Sequence, residues 1–428
     1  MTDTKDSSDR RSDDFSNAPI PERSIGRRLE TVLAIDHLLG SSGFFTLFPV
    51  LGVLLATQTT GVAIVGIGLA CYTASSGFAS FLVNRWLLTV PFRVGMAAGT
   101  AVSGVSFGAL AYVHSGWMLC LLLICAGFGV SVHYMLSRVL IADAVSSSIE
   151  QHRIFSVLQI AVNAAATLGP FVANVLFFRD PRLLTSFIAV CYFAAGTVIF
   201  LGGPREQRVK SSAMGWPVSL RTIKFSVSTP EIWRVLLMTA LGAVAYAQFY
   251  SAFSIYVSID FDSGFARSAL VGAVPVIIVC AQSSISRIVT TYMKRGAVPL
   301  TILGWGAALF GIAMIVLGTG LPHLLRAIST VLIFAVAEMV FTPMMSTAFA
   351  GLPMTSSLEA FNLRQIFWAG GQALGSLAGG SLFLALYRQD AGSSYWLVLG
   401  ITTTLLAIPL GSLLRHLRSR TAAQSPDP

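Results

Sequence analysis

The sequence contains twelve apolar stretches, and each is long enough to cross a lipid bilayer as a helix. A hydrocarbon core about 30 Å thick requires roughly 20 consecutive apolar residues. The stretches lie at 31–56, 62–83, 94–113, 117–143, 153–178, 183–202, 233–258, 268–291, 298–318, 325–350, 361–386 and 394–414. A polar segment at 204–230 separates the first six from the last six. This pattern predicts an all-α membrane protein of twelve transmembrane helices in two six-helix bundles.

The composition supports a membrane setting. Hydrophobic residues make up 54% of the chain and charged residues 11%, whereas soluble domains carry about 25% charged residues. The formal charge is +9, but the basic residues are spread between apolar stretches, so we expect no nucleic-acid partner. The five cysteines lie inside apolar stretches without paired spacing. We therefore predict no disulfide framework, no metal site and no cofactor.

The positions of lysine and arginine predict the orientation, because these residues are enriched on the cytoplasmic side of membrane proteins. With a cytoplasmic N-terminus, 23 of them lie nearer the cytoplasm and 5 nearer the outer side. We therefore expect both termini in the cytoplasm and, since the loops are short and no transit peptide is evident, a bacterial inner membrane. The predicted domains are a disordered tail at 1–30, bundles at 31–203 and 231–415, a cytoplasmic linker at 204–230 and a tail at 416–428.

The chain lacks the sequence motifs of several enzyme and motor classes. It contains no Gly-x-x-x-x-Gly-Lys-Ser/Thr phosphate loop. It also contains no His-Glu-x-x-His metalloprotease motif and no Gly-x-Ser-x-Gly nucleophile elbow. We therefore expect a transporter and not an enzyme, with uphill transport driven by an ion gradient or by another chain. A non-transporting membrane sensor is the alternative from a different class.

The loop after the second helix carries a resemblance to a known family. The segment 84–93 resembles the Gly-x-x-x-Asp-Arg-x-Gly-Arg signature of the major facilitator superfamily, whose members consist of two six-helix bundles. Arg85 and Arg93 keep its basic frame, whereas Asn84 replaces the aspartate and the glycines are absent. The resemblance implies a transporter that alternates between inward-facing and outward-facing states.

Two further motifs are similar to drug/proton antiporters of this superfamily. In the fifth helix, Gly169-Pro170 resembles the core of their motif C, which lets a neighbouring helix approach closely or simply kinks the helix. In the first helix, Asp36 is followed by a Gly-Phe-Phe and a Phe-Pro, as in bacterial multidrug-efflux members. Leu123 stands where that group has its motif B arginine, so coupling through that residue is not available.

Ionisable residues inside a membrane are costly to bury, and they are therefore candidates for function. Glu338 lies in the middle of the tenth helix among apolar residues, where a carboxyl group is suited to carry a proton. Asp36 lies in the first helix beside His37, and an interfacial cap or an ion pair with an arginine is an equally good interpretation. His133 is a third proton-coupling candidate, although a lone histidine is more often a satisfied polar contact.

Other polar residues are candidates for binding or gating. Polar groups on an aromatic wall suit amphipathic ligands, although helix–helix hydrogen bonding is an equally good interpretation of any one of them. The cavity candidates are Gln159, Asn163, Tyr246, Gln248, Tyr250 and Gln282. Arg85, Arg138 and Asp143 are predicted to form a gating network at the cytoplasmic side. Arg138 and Asp143 lie five residues apart and do not share a helix face well.

The predicted function is proton-coupled export of a small organic or drug-like compound. An exporter dedicated to one metabolite, such as a siderophore or a peptide antibiotic, is the first alternative. A proton-symporting importer is the second, because the same carboxyl groups serve either direction. The expected partners are the substrate, protons and the bilayer, and we expect a monomer.

Overall fold

The computed structural model describes residues 22–48, 50–58, 62–82, 84–209, 224–226 and 228–412. Among these residues there are helices and no strands. The helices, numbered in chain order, are α1 (Glu22–Leu47), α2 (Leu51–Gln58), α3 (Val62–Leu82), α4 (Asn84–Thr89), α5 (Phe92–Tyr112), α6 (Gly116–Ala144), α7 (Ser148–Arg179), α8 (Pro181–Gly202), α9 (Pro230–Asp260), α10 (Gly264–Lys294), α11 (Pro299–Gly318), α12 (His323–Ala350), α13 (Ser357–Tyr387) and α14 (Gly392–Ser412). The predicted tails and most of the linker lie outside the described residues.

Ten helices of the described part of the chain are long and apolar enough to cross a membrane. The other two predicted spans are also helical, as α1 with α2 and as α3. The prediction of one unbroken helix over 31–56 is wrong, because α1 ends at Leu47 and α2 begins at Leu51. The sequence between these two helices contains a proline, a residue type that lacks the N–H a continuous helix needs. The all-helical architecture is confirmed.

The helices pack mainly within their own half of the chain. In the first half α1 packs against α7 and α8, and α5 packs against α6 and α8. In the second half α11 packs against α12 and α14, and α9 packs against α13. The principal contacts between halves join α7 to α10 and α12, and α13 to α3 and α6. These helices therefore form the interface between the two halves.

Glycines allow α13 to approach α9 closely. Glycine recurs every four residues along α13, at 371, 375 and 379, and a Cβ atom at each of these positions would collide with α9. A Cβ atom at Gly371 would lie 2.6 Å from the carbonyl oxygen of Ala240, and one at Gly375 would lie 2.5 Å from that of Val244. Both helices then pass through a short π-helical segment, at Phe249–Phe253 and at Ala378–Leu382. Such segments are often found at functional sites.

One end of the molecule is closed between the two bundles. We define the linker end as the end at which α1 begins and at which α8 ends and α9 begins. Among the described residues, four hydrogen bonds connect the bundles, and all lie in the halves of the helices nearest the linker end. The pairs are Asp143–Ser357, His152–Ser286, Ser76–Gln365 and Gln159–Glu338. The opposite end, called here the far end, has no such bond among the described residues.

Candidate transport site

Glu338 and Gln159 meet where the two bundles face each other. Both side chains are buried, and Gln159 Nε2 donates a hydrogen bond of 2.9 Å to Glu338 Oε1. The second carboxyl oxygen, Oε2, is buried without a hydrogen-bond partner. Among the described residues, no basic side chain lies within 4.0 Å of this carboxyl group. Binding a proton would remove the cost of burying a charge that one neutral amide only partly compensates.

Two tyrosines of α9 lie within electrostatic reach of Glu338. The hydroxyl groups of Tyr246 and Tyr250 are 3.4 Å apart, and the charge of Glu338 acts on both. Tyr250 is 51% exposed, whereas Tyr246 packs against Trp368 with ring centroids 5.3 Å apart. Two of the predicted cavity residues thus form a hydroxyl pair that the charge of the predicted proton carrier influences. An aromatic wall with hydroxyl groups can bind an amphipathic organic molecule.

Asp36 lies in a buried cluster with two histidines. Its Oδ2 atom is 3.2 Å from Nε2 of His133 and 3.3 Å from Nδ1 of His37. Neither contact is aligned as a hydrogen bond, so both carboxyl oxygens of Asp36 and both ring nitrogens of His133 are buried without a hydrogen-bond partner. Neither the interfacial cap nor the ion pair with an arginine that the sequence suggested for Asp36 is seen among the described residues. The cluster instead joins three groups that can exchange protons.

Hydrogen bonds from neighbouring residues orient this cluster. His37 Nδ1 lies 3.0 Å from the carbonyl oxygen of Leu33, and its Nε2 lies 3.3 Å from Ser137 Oγ. The Tyr134 ring packs edge-on against both imidazoles, and the guanidinium of Arg138 lies 5.9 Å from the centre of that ring. The positive charge of Arg138 also acts on His37. The cluster is thus connected to the predicted gating arginine.

The same three residues offer a set of possible metal ligands. One ligand atom from each of Asp36, His37 and His133 lies within 4.8 Å of the others. Ligands about 2.1 Å from one tetrahedral ion lie roughly 3.4 Å apart, close to the distances that separate Asp36 from the two histidines. The carbonyl of Leu33 argues against a resident ion, because it favours a proton on the Nδ1 atom that a metal would need. The three residues therefore fit an ion that binds only briefly during transport better than a permanently bound structural metal.

Three of the predicted cavity amides bond within their own bundle. Gln248 donates to the carbonyl oxygens of Val244 and Gly375 and accepts from the hydroxyl of Tyr395 at 2.6 Å. Gln282 donates to the carbonyl oxygen of Met339 at 3.0 Å. Asn163 donates to the carbonyl oxygen of Gln159 at 2.9 Å. In this conformation their donors hold helices together, and their binding of substrate stays a prediction.

Polar contacts close the linker end, and they lie between Glu338 and the helix ends. Ser357 donates a hydrogen bond of 2.6 Å to Asp143 Oδ1, which joins the end of α6 to the start of α13. His152 Nε2 lies 3.3 Å from Ser286 Oγ, which joins α7 to α10. Arg85 lies in α4, but its side chain is not among the described parts of the structure. Its gating contact therefore stays a prediction. Arg138 and Asp143 form no ion pair with each other, in agreement with their spacing.

The Gly-Pro motif allows two helices of the first bundle to touch. A Cβ atom at Gly169 would lie 2.6 Å from the backbone carbonyl carbon of Phe45, so only glycine fits there without movement. The helix α7 continues through Pro170 to Arg179. The expected close approach is therefore confirmed, and it joins the two segments that carry the antiporter resemblance.

Sequence reasoning missed Arg364 as a membrane-buried charge. The predicted helix began at 361, which placed this residue at the membrane surface. The structure begins α13 at Ser357, because Ser356 Oγ accepts a hydrogen bond from the backbone N–H of Glu359. This Ser-x-x-Glu pattern is the signature of a capping box and could have located the helix start. His37 was noticed only as a neighbour of Asp36, since sequence alone does not show that both side chains meet α6.

Comparisons with known proteins identify the family. Residues 33–376 match the family model described as Major Facilitator Superfamily. No curated protein matches the sequence. Members of this family are transporters, so the chain is a transporter and not an enzyme.

Solved transporter structures share the fold. The human organic anion transporter MFSD10 (TETRAN) has a TM-score of 0.68 at 17% identity, covering 92% of this chain and 100% of its own. A bacterial homologue of the iron transporter ferroportin, in an outward-facing state, has a TM-score of 0.68 at 15% identity, covering 90% and 99%. The E. coli fucose:proton symporter has a TM-score of 0.67 at 10% identity, covering 92% and 99%. With the family model matching most of its length, the chain belongs to the major facilitator superfamily.

Proposed function

We propose that the protein is a proton-coupled exporter of a small organic compound, of the drug/proton antiporter type. The hydrogen bond between Gln159 and Glu338 is the observation that carries this proposal. It places a protonatable group on the interface that must open and close during transport. The fucose:proton symporter shows that the same fold can couple a solute to protons. A monomer in a bacterial inner membrane, with both termini cytoplasmic, completes the proposal.

The linker end is the cytoplasmic end in this proposal, so the present conformation is closed toward the cytoplasm. Protonation of Glu338 from the far side converts a charge-assisted hydrogen bond into a neutral one of about half the strength. The contact with Gln159 then loosens and favours opening of the linker end. Release of the proton to the cytoplasm and binding of substrate favour closure again. The protonated empty carrier and the deprotonated loaded carrier therefore cross the membrane in opposite senses, which gives antiport.

The Asp36 cluster has a supporting role in this cycle. Asp36, His37 and His133 bring three ionisable side chains together between α1 and α6, and the cluster lies near Arg138. A change in its charge acts on the gating residues of α6 without a contact between bundles. We propose that Arg85, Arg138 and Asp143 form the gate that this charge biases.

Inside-out vesicles with an acidic interior test the proposed function. A panel of benzoate, phenyl phosphate, benzyltrimethylammonium and small peptides is added while a dye reports the internal pH. We expect at least one compound to dissipate the gradient in wild-type vesicles but not with Glu338→Gln, which keeps an acceptor for Gln159. If a compound enters the vesicles without moving protons, the protein is a facilitator and the assignment of Glu338 is wrong.

A transition-metal ion is a second candidate substrate, because Asp36, His37 and His133 bring three ligand atoms together. It ranks second, since a cation crossing the linker end would pass the positive charges of Arg138 and Arg364. Uptake of Co²⁺ into the same vesicles tests it. Uptake that is abolished by His133→Gln, together with a visible absorption band of bound Co²⁺, would replace the organic compound with a metal ion. The absence of both leaves the organic compound as the substrate.

A further inference from the structure

Arg138 and Arg364 lie on two helices that touch across the interface between the bundles, and neither has an acidic partner among the described residues. Arg138 lies six residues before the end of α6, and Arg364 lies seven residues after the start of α13. At 1.5 Å per residue each is about 10 Å from the linker end of its helix. The two charges are close enough to repel each other, and α6 contacts α13. Arg364 is buried and Arg138 is half-buried, so two like charges at this interface favour the binding of a compensating anion.

Neither guanidinium forms an ion pair with a described residue. Among the described residues, no carboxylate lies within 4.0 Å of Arg138 or of Arg364. Arg364 is only 4% exposed, and its Nε is buried without a hydrogen-bond partner, as are the Nε atoms of Arg153 and Arg326. Asp143 and Glu359 lie on the same helices, but each is five residues from its arginine, which is about 500° of helical turn. The acids therefore do not point at the guanidiniums of their own helices.

Other arginines of the chain show what a structural role looks like. Arg153 forms ion pairs with Glu30 and Glu150 at 2.7 and 2.8 Å. Arg326 is also buried, and it donates to the carbonyl oxygens of Leu317 and Thr319. By contrast, Arg138 has no ion pair and donates no side-chain hydrogen bond among the described residues, and its guanidinium lies 5.9 Å from the centre of the Tyr134 ring. A guanidinium has five N–H donors suited to a carboxylate or phosphate.

The surroundings of Arg364 indicate what the uncharged part of such an anion would be. Trp368 lies four residues after Arg364 and so shares its helix face. Its ring packs 5.3 Å from Tyr246 and 6.3 Å from Phe341, measured between ring centroids. The cationic pair is therefore followed, toward the far end, by the aromatic wall near Glu338. An amphipathic molecule would place its acid group on the arginines and its ring on this wall.

We infer that the transported compound is an aromatic organic anion whose acid group binds between Arg138 and Arg364. This inference rests on the proposed function and names its substrate class. The bound anion offsets the repulsion between α6 and α13, so it favours closure of the linker end. Closure after loading is the step that an exporter requires once the proton has left Glu338.

Ligand binding to the purified full-length chain tests the inference without transport. Benzoate and phenyl phosphate are compared with benzyl alcohol and benzyltrimethylammonium, which keep the ring but not the negative charge. We expect both anions, and neither of the other probes, to raise the melting temperature and to bind measurably by calorimetry. Binding by neither anion, or equal binding of benzyl alcohol, overturns the inference.

Variants locate the binding. We expect Arg138→Gln and Arg364→Gln each to weaken anion binding at least tenfold, and Arg364→Lys, which keeps the charge without the planar fork, to weaken it less. Arg388→Gln removes the same charge at an exposed position, and we expect binding to stay within twofold of wild type. Equal loss in the Arg388 variant would mean that net charge and not this site attracts the anion. Arg364→Lys also serves if the glutamine variants do not fold.

Two further experiments are needed. The first asks whether the bound anion is a lipid headgroup, and the second distinguishes failure of this inference from failure of the proposed function. Binding is repeated in nanodiscs of phosphatidylcholine with and without phosphatidylglycerol; competition by the anionic lipid would assign the site to a headgroup and overturn the substrate class. In the vesicle assay, proton movement with benzyltrimethylammonium but not with anions leaves the proposed function standing and defeats this inference. Anion binding at the arginines without proton movement by any compound defeats the proposed function and keeps the site.

Discussion

Gln159 Nε2 donates a hydrogen bond to Glu338 Oε1 across the interface between the two bundles, with a donor–acceptor distance of 2.9 Å. The two residues lie on α7 and α12, and each is roughly 17 Å from the linker end of its helix. The bond can form only while α7 and α12 are in contact at these residues. Its strength depends on the charge of Glu338, so one contact links the protonation of a carboxyl group to the conformation of the carrier.

Removing the amide of Gln159 is expected to move the pH profile of transport. In Gln159→Leu an ionised Glu338 loses its single hydrogen bond, which is worth about 1.5–3 kcal/mol for a charged partner. Proton release then costs more, so half-maximal export requires a pH about 1–2 units higher. Initial export rates measured at several cytoplasmic pH values check this. Asn163→Leu removes a buried amide one turn away that bonds only to its own helix, and an equal shift there would contradict the assignment.

Loss of the Ser357 hydroxyl is expected to favour opening of the linker end. Ser357→Ala removes the hydrogen bond to Asp143, and a bond to a charged acceptor contributes about 1.5–3 kcal/mol. The open-to-closed ratio should therefore rise by about 10- to 150-fold, since 1.4 kcal/mol is a factor of ten. Distances between spin labels on α6 and α13 at the linker end measure the two populations. Ser228→Ala, whose hydroxyl bonds to the carbonyl of Lys224, is the control and should leave them unchanged.

Two adjacent glycines of α13 are expected to differ sharply in their tolerance of a methyl group. At Gly371 a Cβ would lie 2.6 Å from the backbone oxygen of Ala240, whereas at Gly370 nothing lies within 4 Å. Gly371→Ala should therefore destabilise the protein by about 1–3 kcal/mol through overpacking. Gly370→Ala should be neutral or slightly stabilising, because alanine has the better helix propensity. Thermal unfolding in detergent compares the two, and equal melting temperatures would contradict the packing of α13 on α9.

The predicted cavity residues are expected to separate into two groups. Gln248 is held by Tyr395 and by two backbone carbonyls, so Gln248→Leu should lower the melting temperature and change the KM for substrate less than twofold. Tyr250 is half exposed beside Glu338, so Tyr250→Phe should raise KM and leave the melting temperature unchanged. Measurements of the melting temperature and of KM for both variants distinguish a structural residue from a substrate-binding residue. The opposite pattern would make Gln248 the binding residue.

Sequence predicted the helical architecture well, because hydrophobic length is a direct physical requirement of the bilayer. The helix ends were less accurate. The first predicted span is broken near Pro49, and α13 begins four residues earlier than expected because of the cap at Ser356. That shift carries Arg364 about 6 Å deeper, at 1.5 Å per residue. A prediction made from the apolar run alone therefore lost one of the two arginines of the anion site.

The candidate site was predictable by residue type but not by partner. Glu338, Asp36 and His133 stood out because ionisable groups are rare in membrane helices. Their partners could not be deduced, since 179 residues separate Gln159 from Glu338 and 97 separate Asp36 from His133. Pairing of this kind depends on how helices rotate and pack. The amide of Gln248 was assigned to the cavity for the same reason, although in this conformation it bonds to α13 and α14.

Infrared difference spectroscopy of the carboxyl group tests the claim that Glu338 carries the transported proton. Spectra of the purified protein are recorded across the pH range in which vesicles transport, without any need for a known substrate. We predict a band of a protonated, buried carboxylic acid that disappears as the pH rises, is absent from Glu338→Gln and persists in Glu206→Gln, a control at an exposed position. A band of unchanged intensity in Glu338→Gln would show that another group holds the proton and would contradict the proposed coupling.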